Sequence, residues 1–258
     1  MTVPDKQSDT EDVEQPLIAH LIELRARLLR VLICILLIFF VLAFFSNDIY
    51  NIIAVPLLGS LPSNSSMIAT EVASPFLVPF KLTAYIALFI AMPYLLYQAW
   101  AFVAPGLYKN EKRFVFPLLF TSIVLFYTGM AFAYYIVFPL LFGFFTSAAP
   151  SGVIVMTDIS HYLSFVLKMF FAFGLVFEVP IATVLFISSG ITDIDTMTKK
   201  RPYIIVGAFT IGMLLTPPDV ISQILLAIPV WALFELGLLF SRYFRGKGTG
   251  EETADDIE

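Results

Sequence analysis

Six apolar segments restrict the fold of this chain more than any other feature of its sequence. A segment that crosses lipid must satisfy its own backbone hydrogen bonds, so each of the six is predicted to form a helix. Hydrophobic residues make up 59% of the 258 residues and charged residues only 14%, whereas soluble domains are about a quarter charged. We therefore predict an all-α integral membrane protein with six transmembrane helices, at Leu28–Phe45, Leu82–Val103, Phe114–Val137, Tyr162–Ile187, Ile204–Leu215 and Val220–Phe240.

The fifth and sixth helices are predicted to be short. Ile204–Leu215 would cover about 18 Å at 1.5 Å per residue, against about 30 Å of hydrocarbon. Polar residues interrupt the sixth segment at Ser222, Gln223 and Glu235. We expect this pair of helices to thin the bilayer locally or to lie against a partner.

The basic residues predict the orientation in the membrane. Thirteen of the 15 Lys and Arg residues lie before the first segment or in its first turn, between the second and third, between the fourth and fifth, or after the sixth. Because cytoplasmic loops carry the excess of Lys and Arg, both termini are predicted to be cytoplasmic. Only Lys81 and Lys168 are left for the other side.

Acidic residues crowd into both ends of the chain. These ends are predicted to be disordered tails, at residues 1–15 and 246–258, on either side of a six-helix domain at residues 16–245. A cleaved signal peptide would begin with basic residues, so the first apolar segment is expected to be retained. Cys34 is the single cysteine, which excludes an intramolecular disulfide and a cysteine metal site.

Prolines inside the predicted spans indicate the shape of the bundle. Pro93, Pro117, Pro180 and Pro229 each remove one backbone hydrogen bond and bend their helix. Bent helices packed side by side tend to form a curved wall. We therefore expect a concave bundle.

Three connections on the side opposite the termini differ in kind. Ser46–Pro79 is long and its prolines and apolar patches indicate an ordered cap, and Pro139–Ser160 is predicted to be a second loop. Residues 216–219 predict a tight hairpin and a helix start. Thr216 would be the N-cap there, and Asp219 would accept backbone N–H groups.

Glu178 lies well inside the fourth span, where a carboxylate costs about 2.5–3.5 kcal/mol on insertion scales. It therefore needs a partner, a proton or water. One interpretation is a protonated carboxyl that is hydrogen-bonded to a neighbouring helix, including backbone freed near Pro180. The other is a polar contact for another subunit or a step in proton movement.

Glu23 and Glu111 both lie among cations on the predicted cytoplasmic side. Local pairing is one explanation, Glu23 with Arg27 four residues on, and Glu111 with Lys112 or Arg113. Such exposed pairs contribute only about 0.3–0.5 kcal/mol each. The alternative is that the two carboxylates converge on a paired cation of a ligand.

No catalytic pattern accompanies these acids. His20 and His161 fall on opposite sides of the predicted topology, and the sequence holds no cysteine pair, no His-x-x-x-His and no glycine-rich phosphate loop. We therefore expect no enzymatic activity, no metal and no cofactor.

Seven motifs, in this order, resemble the twin-arginine translocase C subunit family, TatC, over about residues 14–245. No single motif is decisive, but the set is specific when taken together. The motifs are His20–Leu28, Ala73–Phe76, Trp100–Tyr108, Phe126–Tyr134, Phe173–Pro180, Lys200–Tyr203 and Met213–Asp219 with Gln223.

The resemblance implies a bowl-like bundle of six helices in the bacterial cytoplasmic (inner) membrane. It implies a receptor for the Arg-Arg signal peptides of folded proteins, with transport driven by the proton-motive force and without nucleotide hydrolysis. The implied partners are the small subunits TatB and TatA, membrane lipid and further copies of the chain in a larger complex, with no nucleic acid.

The resemblance also implies roles for particular residues. The positions that bind the signal peptide are Glu23, Glu111, Arg25, Arg27 and Phe102. Contacts with partner subunits are implied at Glu178, which matches an intramembrane acid linked to TatA, and at Met213, Thr216 and Gln223, which match a polar patch where TatB or TatA helices dock. The cap on the far side involves Pro56, Phe76 and Asp219.

Two other functions predict different behaviour. A proton-coupled transporter of small solutes that uses Glu178 would show solute counterflow by the purified chain alone. A passive membrane scaffold would tolerate changes at Glu23 and Glu111.

Overall fold

The structure is a computed structural model that describes residues 8–51, 67–103, 115–147, 157–215 and 220–251. A π-helical turn at Ala133–Val137 joins α3 to α4, and residues 46–51 are also helical. The strands β1 (Met67–Ile68) and β2 (Thr157–Asp158) form one short parallel pair. The α-helices are α1 (Ser8–Ala43), α2 (Ser74–Val103), α3 (Val115–Phe132), α4 (Phe138–Ser147), α5 (Ile159–Val176), α6 (Val179–Ser188), α7 (Ile194–Lys199), α8 (Arg201–Leu215) and α9 (Val220–Glu251).

Five helical stretches in the described residues are long and apolar enough to cross a membrane, which confirms five of the predicted spans. The remaining predicted span is α8, whose 15 residues cover about 22 Å. The fifth helix is therefore short, as predicted, and the count of six crossing helices stays a prediction. The five stretches are His20–Ala43, Ser74–Phe102, Phe116–Phe144, Ile159–Ser188 and Gln223–Arg242.

The prediction that the sixth helix is short is wrong. α9 has 32 residues, and its apolar stretch of 20 residues is long enough for about 30 Å of hydrocarbon. Glu235 does not interrupt this helix, because Arg201 of α8 pairs with it. Arg201 Nη2 donates to Glu235 Oε2 at 2.6 Å, and Arg201 Nε lies 2.6 Å from Glu235 Oε1.

The second span begins at Ser74 rather than at Leu82. Pro75 falls in the first turn of α2, where the missing N–H of proline has no helical partner to lose. The Ser74 hydroxyl donates to Glu71 Oε2 at 3.3 Å, which helps to start the helix. The end of the expected cap loop is therefore helical, and residues 52–66, including Pro56, lie outside the described residues.

The third span also runs past its predicted end at Val137. In a regular α-helix Pro139 would clash with the carbonyl four residues earlier. The chain widens into a π-turn just before it, where the Phe138 N–H bonds to the Ala133 carbonyl. The helix can therefore continue through Pro139 to Ser147, where a loop was predicted.

The fourth span is interrupted at Glu178. α5 ends at Val176 and α6 begins at Val179, with Phe177 and Glu178 between them. Pro180 lies in the first turn of α6 and cannot donate a hydrogen bond back to α5. This proline therefore starts a second helix rather than only bending the first.

Glycines allow the closest helix contacts in the core. A Cβ atom at Gly129 of α3 would lie 2.9 Å from the carbonyl carbon of Phe173 of α5. A Cβ atom at Gly237 of α9 would lie 2.9 Å from Cα of Pro180 of α6. Small residues let membrane helices approach in this way, so these two crossings bring the interrupted fourth span against α3 and α9.

The helices form a succession of neighbours. α1 packs on α2, α2 on α3 and α5, α3 on α5, α6 on α9, and α9 on α8. Only 6% of the apolar window of α1 is buried, so most of its surface faces away from the rest of the chain. The concave shape expected from the prolines stays a prediction.

Helix extends past both predicted boundaries of the membrane domain, since α1 begins at Ser8 and α9 ends at Glu251. The division into two tails and a central domain stays a prediction. The predicted hairpin at residues 216–219 lies outside the described residues.

Candidate functional site

Glu23 of α1 belongs to a hydrogen-bonded chain that crosses to α2. Arg27 Nε and Nη2 donate to Glu23 Oε1 at 3.0 and 2.5 Å. Arg27 Nη1 donates to Gln98 Oε1 at 3.2 Å, and Gln98 Nε2 donates to the Tyr94 hydroxyl at 2.8 Å. The four side chains therefore fix the start of the first span against the end of the second.

The predicted local pair of Glu23 and Arg27 is present, but it does not use the whole carboxylate. Both arginine nitrogens bind Oε1, and neither bond involves Oε2. The Glu23 side chain is 41% exposed and the Arg27 side chain 19%. Glu23 therefore keeps accessible surface on which a second cation can bind.

His20 and Phe102 stack at the same junction of α1 and α2. Their ring centroids are 4.2 Å apart and their planes differ by 20°. His20 precedes Glu23 by three residues, and Phe102 follows Gln98 by four, so each lies about one helical turn from a member of the hydrogen-bonded chain. An aromatic surface therefore borders the carboxylate.

Three of the five predicted signal-peptide positions meet at this junction, namely Glu23, Arg27 and Phe102. Arg25 is exposed on α1. Glu111 lies outside the described residues, so the convergence of two carboxylates stays a prediction.

Glu178 lies at the interruption between α5 and α6 and is partly buried. The Ser122 hydroxyl of α3 is the side-chain hydrogen-bonding group beside its carboxyl. Trp100 Nε1 of α2 donates to the same hydroxyl at 3.1 Å. In the part of the chain that the structure describes, Glu178 Oε1 is buried without a hydrogen-bond partner, so the carboxyl retains an unused acceptor.

The predicted partner-contact positions on α8 and α9 differ in exposure. Met213 is 55% exposed. Gln223 of α9 is half-buried and lies against Gly212, where a Cβ atom would be 3.6 Å from Gln223 Cα. Thr216 lies outside the described residues, so the structure does not place it beside the other two.

On the opposite end of the bundle, Phe76 is 68% exposed and its ring centroid is 5.1 Å from that of Phe80. Pro56 and Asp219, the other predicted cap positions, lie outside the described residues. The assignment of these residues to a cap stays a prediction.

Asp158 organises this end of the bundle, and sequence reasoning missed it. Its Oδ2 accepts from the Thr70 backbone N–H at 2.9 Å and from the Thr70 hydroxyl at 2.6 Å. Its Oδ1 accepts from the N–H groups of Ser160 and His161 at 2.9 and 3.0 Å, which caps α5. The Thr70 hydroxyl and these backbone donors hold the pKa of Asp158 well below its usual value.

Several other residues that form the polar contacts described above could not be identified from the sequence. Gln98, Tyr94 and Ser122 lie in largely apolar runs, with no spacing that connects them to Glu23 or Glu178. Arg201 and Glu235 are 34 residues apart in the chain. Asp158 left a local signal, since an Asp two and three residues before Ser160 and His161 at the start of an apolar run is typical of an N-cap.

Metal ligation finds no support in the described ranges. They contain no group of three or more His, Cys, Asp or Glu residues placed to hold a metal ion.

Comparison with known proteins agrees with this architecture. A family model described as Sec-independent protein translocase protein (TatC) matches residues 19–229. The Sec-independent protein translocase protein TatC of Haemophilus influenzae is 61% identical over 236 residues, which cover 92% of this chain and 92% of that protein. The protein of the same description from Escherichia coli K12 is 58% identical over 238 residues, again with 92% of each chain covered.

A solved structure shares the fold as well. The crystal structure of the twin arginine translocase receptor TatC superimposes with a TM-score of 0.78 at 36% identity, covering 87% of this chain and 98% of that one. The resemblance inferred from the seven motifs is thereby confirmed. With several apolar helices able to cross a membrane, this multi-pass membrane protein belongs to the TatC family of Sec-independent protein translocase proteins.

Proposed function

We propose that this TatC chain is the receptor that binds the Arg-Arg signal peptides of folded proteins and nucleates assembly of the translocation site. It acts without a catalytic step or a cofactor, and the proton-motive force drives transport. The description of the related crystal structure as a twin arginine translocase receptor supports this proposal.

The observation that carries the proposal is the state of the Glu23 carboxylate. One oxygen is held by Arg27, the other takes no part in that pair, and the side chain is substantially exposed. His20, which stacks on the Phe102 ring, lies about one helical turn before Glu23. A carboxylate that is held in place but only half used is suited to receive a guanidinium. Glu111, from the following basic loop, supplies the second carboxylate for the second arginine.

Arginine fits this site better than lysine does. Its planar guanidinium can donate two parallel hydrogen bonds to a carboxylate, whereas the lysine ammonium is a point charge. Two charge-assisted contacts of about 1.5–3 kcal/mol each give about 3–6 kcal/mol. A micromolar complex needs about 8 kcal/mol after the costs of association, so the arginines select the peptide and its apolar segment supplies the remaining affinity.

The protein resides in the bacterial cytoplasmic membrane with both termini cytoplasmic, in keeping with the distribution of Lys and Arg. Its partners are small single-span subunits of the TatA and TatB kind, besides lipid and further copies of the chain. Glu178, at the interruption of the fourth span, and the exposed side chain of Met213, near Gln223, are the polar and apolar positions that such helices would contact.

Photocrosslinking tests this proposal. The double variant Glu23→Ala with Glu111→Ala should lose crosslinks to an Arg-Arg signal peptide and should still insert into the membrane. Asp195→Ala removes an exposed acid of the fourth connection and serves as the matched control, with crosslinking at the wild-type level. Undiminished crosslinking in the double variant would refute the assignment, and solute counterflow by the purified chain would favour a transporter instead.

A further inference from the structure

We propose that Gln98 is a positioning residue that keeps one oxygen of Glu23 available, because it holds Arg27 on the other oxygen. This inference rests on the proposed function, since it concerns how the same carboxylate accepts the signal peptide. Neither Gln98 nor its neighbour Tyr94 touches the peptide in this proposal.

The contact between Arg27 and Glu23 departs from the usual geometry of such pairs. A guanidinium commonly meets a carboxylate as a fork, with two nitrogens on two oxygens. Here Nε and Nη2 both reach Oε1, while Nη1 is bound to Gln98 Oε1. Because the guanidinium is planar and rigid, a bond at Nη1 restricts its rotation towards Oε2.

Gln98 is itself held firmly. Its side chain is buried, with 6% of the residue exposed, and its Nε2 donates to the Tyr94 hydroxyl one turn earlier on α2. This bond sets the amide with its oxygen towards Arg27, because the reversed amide would place N–H groups against a guanidinium that can only donate. Tyr94 and Gln98 together therefore form a rigid support on α2 for a side chain of α1.

Loss of this support would let Arg27 compete with the ligand. Without the bond to Gln98, the guanidinium of Arg27 is free to span both oxygens of Glu23. An incoming arginine would then have to displace one charge-assisted hydrogen bond, which corresponds to roughly tenfold weaker binding. A lysine at position 27 cannot form the fork, so it has little to gain from the loss of Gln98.

The test measures the affinity of the full chain, purified in detergent, for two labelled synthetic signal peptides, one with Arg-Arg and one with Lys-Lys, by fluorescence anisotropy. Gln98→Met keeps the length of the side chain and removes both amide contacts, and should weaken Arg-Arg peptide binding about tenfold. In an Arg27→Lys background the same change should alter binding less than about twofold. Thr83→Val, which removes a buried hydroxyl from the same helix, is the control and should bind as wild type.

The outcomes separate this inference from the proposed function. A wild-type chain that binds both peptides equally overturns the proposed function. A wild-type preference for Arg-Arg with unchanged binding by Gln98→Met overturns the role of Gln98 alone. An equal loss in the Arg27→Lys background also overturns it, because Gln98 would then contact the peptide directly.

If Gln98→Met does not fold, a second variant tests the role of Gln98. Tyr94→Phe leaves the amide in place but removes the acceptor that orients it, so Arg-Arg peptide binding should fall about threefold, in line with one neutral hydrogen bond. Wild-type affinity in folded Tyr94→Phe would overturn the proposal.

Discussion

The Tyr127 hydroxyl of α3 donates a hydrogen bond of 2.9 Å to the backbone carbonyl of Phe89 in α2. In a regular helix that carbonyl would accept from the N–H four residues on, but residue 93 is a proline and has none. A side chain from the next helix therefore replaces the backbone donor. The contact ties the bend in the second span to the position of the third.

Removal of this hydroxyl should destabilise the protein. Tyr127→Phe leaves the Phe89 carbonyl without a donor inside the bundle, at an expected cost of about 1 kcal/mol, the scale of interhelical hydrogen bonds in membranes. The free energy of unfolding in detergent, followed by circular dichroism, measures this loss.

The proline provides the control for that change. In Pro93→Ala the carbonyl regains its backbone donor, so Tyr127→Phe in that background should cost little further. Tyr135→Phe changes an exposed tyrosine of the same span and should be neutral. Equal losses with and without Pro93 would show that the hydroxyl acts elsewhere.

Substitution of Gly129 by alanine should destabilise the protein, whereas the same substitution of Gly207 should not. A Cβ atom at Gly129 would overlap the Phe173 backbone and lie 2.9 Å from Cγ of Phe177, whereas Gly207 has no neighbour within 4 Å of an added Cβ. Gly129→Ala is expected to cost about 1–3 kcal/mol through overpacking, and Gly207→Ala to be neutral or slightly stabilising because alanine favours helix. Thermal unfolding of the purified variants compares the two, and an equal response at both positions would contradict the close packing of α3 on α5.

The hydrogen bonds from Thr70 to Asp158 should hold residues 67–70 in place in a pH-dependent way. The pKa of Asp158 is lowered in the folded chain, chiefly by the Thr70 hydroxyl. The stabilisation is therefore fully present above the unfolded value of about 3.9 and is lost as the pH falls through the folded value. A spin label at exposed Val72 in a Cys34→Ala background should therefore stay ordered at about pH 4 and become more mobile only well below it, as the pH falls through the lowered pKa of Asp158.

Two variants test whether the carboxylate is responsible for that change. Asp158→Ala should give a mobile label at every pH. Glu71→Gln, which alters a nearby exposed acid, should keep the wild-type profile. If the mobility of the label changes neither with pH nor in Asp158→Ala, then Asp158 does not hold residues 67–70 in place.

The hydrogen bond to Ser122 should slow the hydrogen exchange of the Trp100 indole N–H. Trp100 and Trp231 are the two tryptophans of the chain, so Trp231→Phe leaves one indole N–H signal in an NMR spectrum. Ser122→Ala removes the acceptor of that N–H and should raise its hydrogen-exchange rate roughly tenfold. Ser241→Ala, at a buried serine bonded to its own helix, should leave the rate unchanged, and a similar effect of both variants would argue against a specific bond between Trp100 and Ser122.

For Glu178, the sequence predicted the need for a polar neighbour but not which residue provides it. An intramembrane carboxylate requires a polar neighbour, and a hydrogen bond from another helix was one expected answer. Which helix supplies it depends on the crossing of α3 and α5, set by Gly129 and Phe173. Glycine spacing along one segment does not identify the partner of that segment, so Ser122 could not be named in advance.

The same limit explains the errors at the ends and in the lengths of helices. The third span was expected to end at Val137 and to be followed by a loop from Pro139, but a π-turn lets the helix continue through that proline. Glu235 was expected to interrupt the sixth span, and a cation from α8 neutralised it. Both outcomes depend on geometry that is decided after the helices have packed.

The sequence by itself determined that the chain forms apolar helices within a membrane, because their length and composition leave no other way to satisfy the backbone in lipid. It also determined the family, through seven motifs in order. Only the tertiary structure decided which polar groups meet, such as Arg27 with Gln98 and Trp100 with Ser122. Helix formation depends on neighbours along the chain, whereas these pairs depend on the depth and rotation at which separate helices pack.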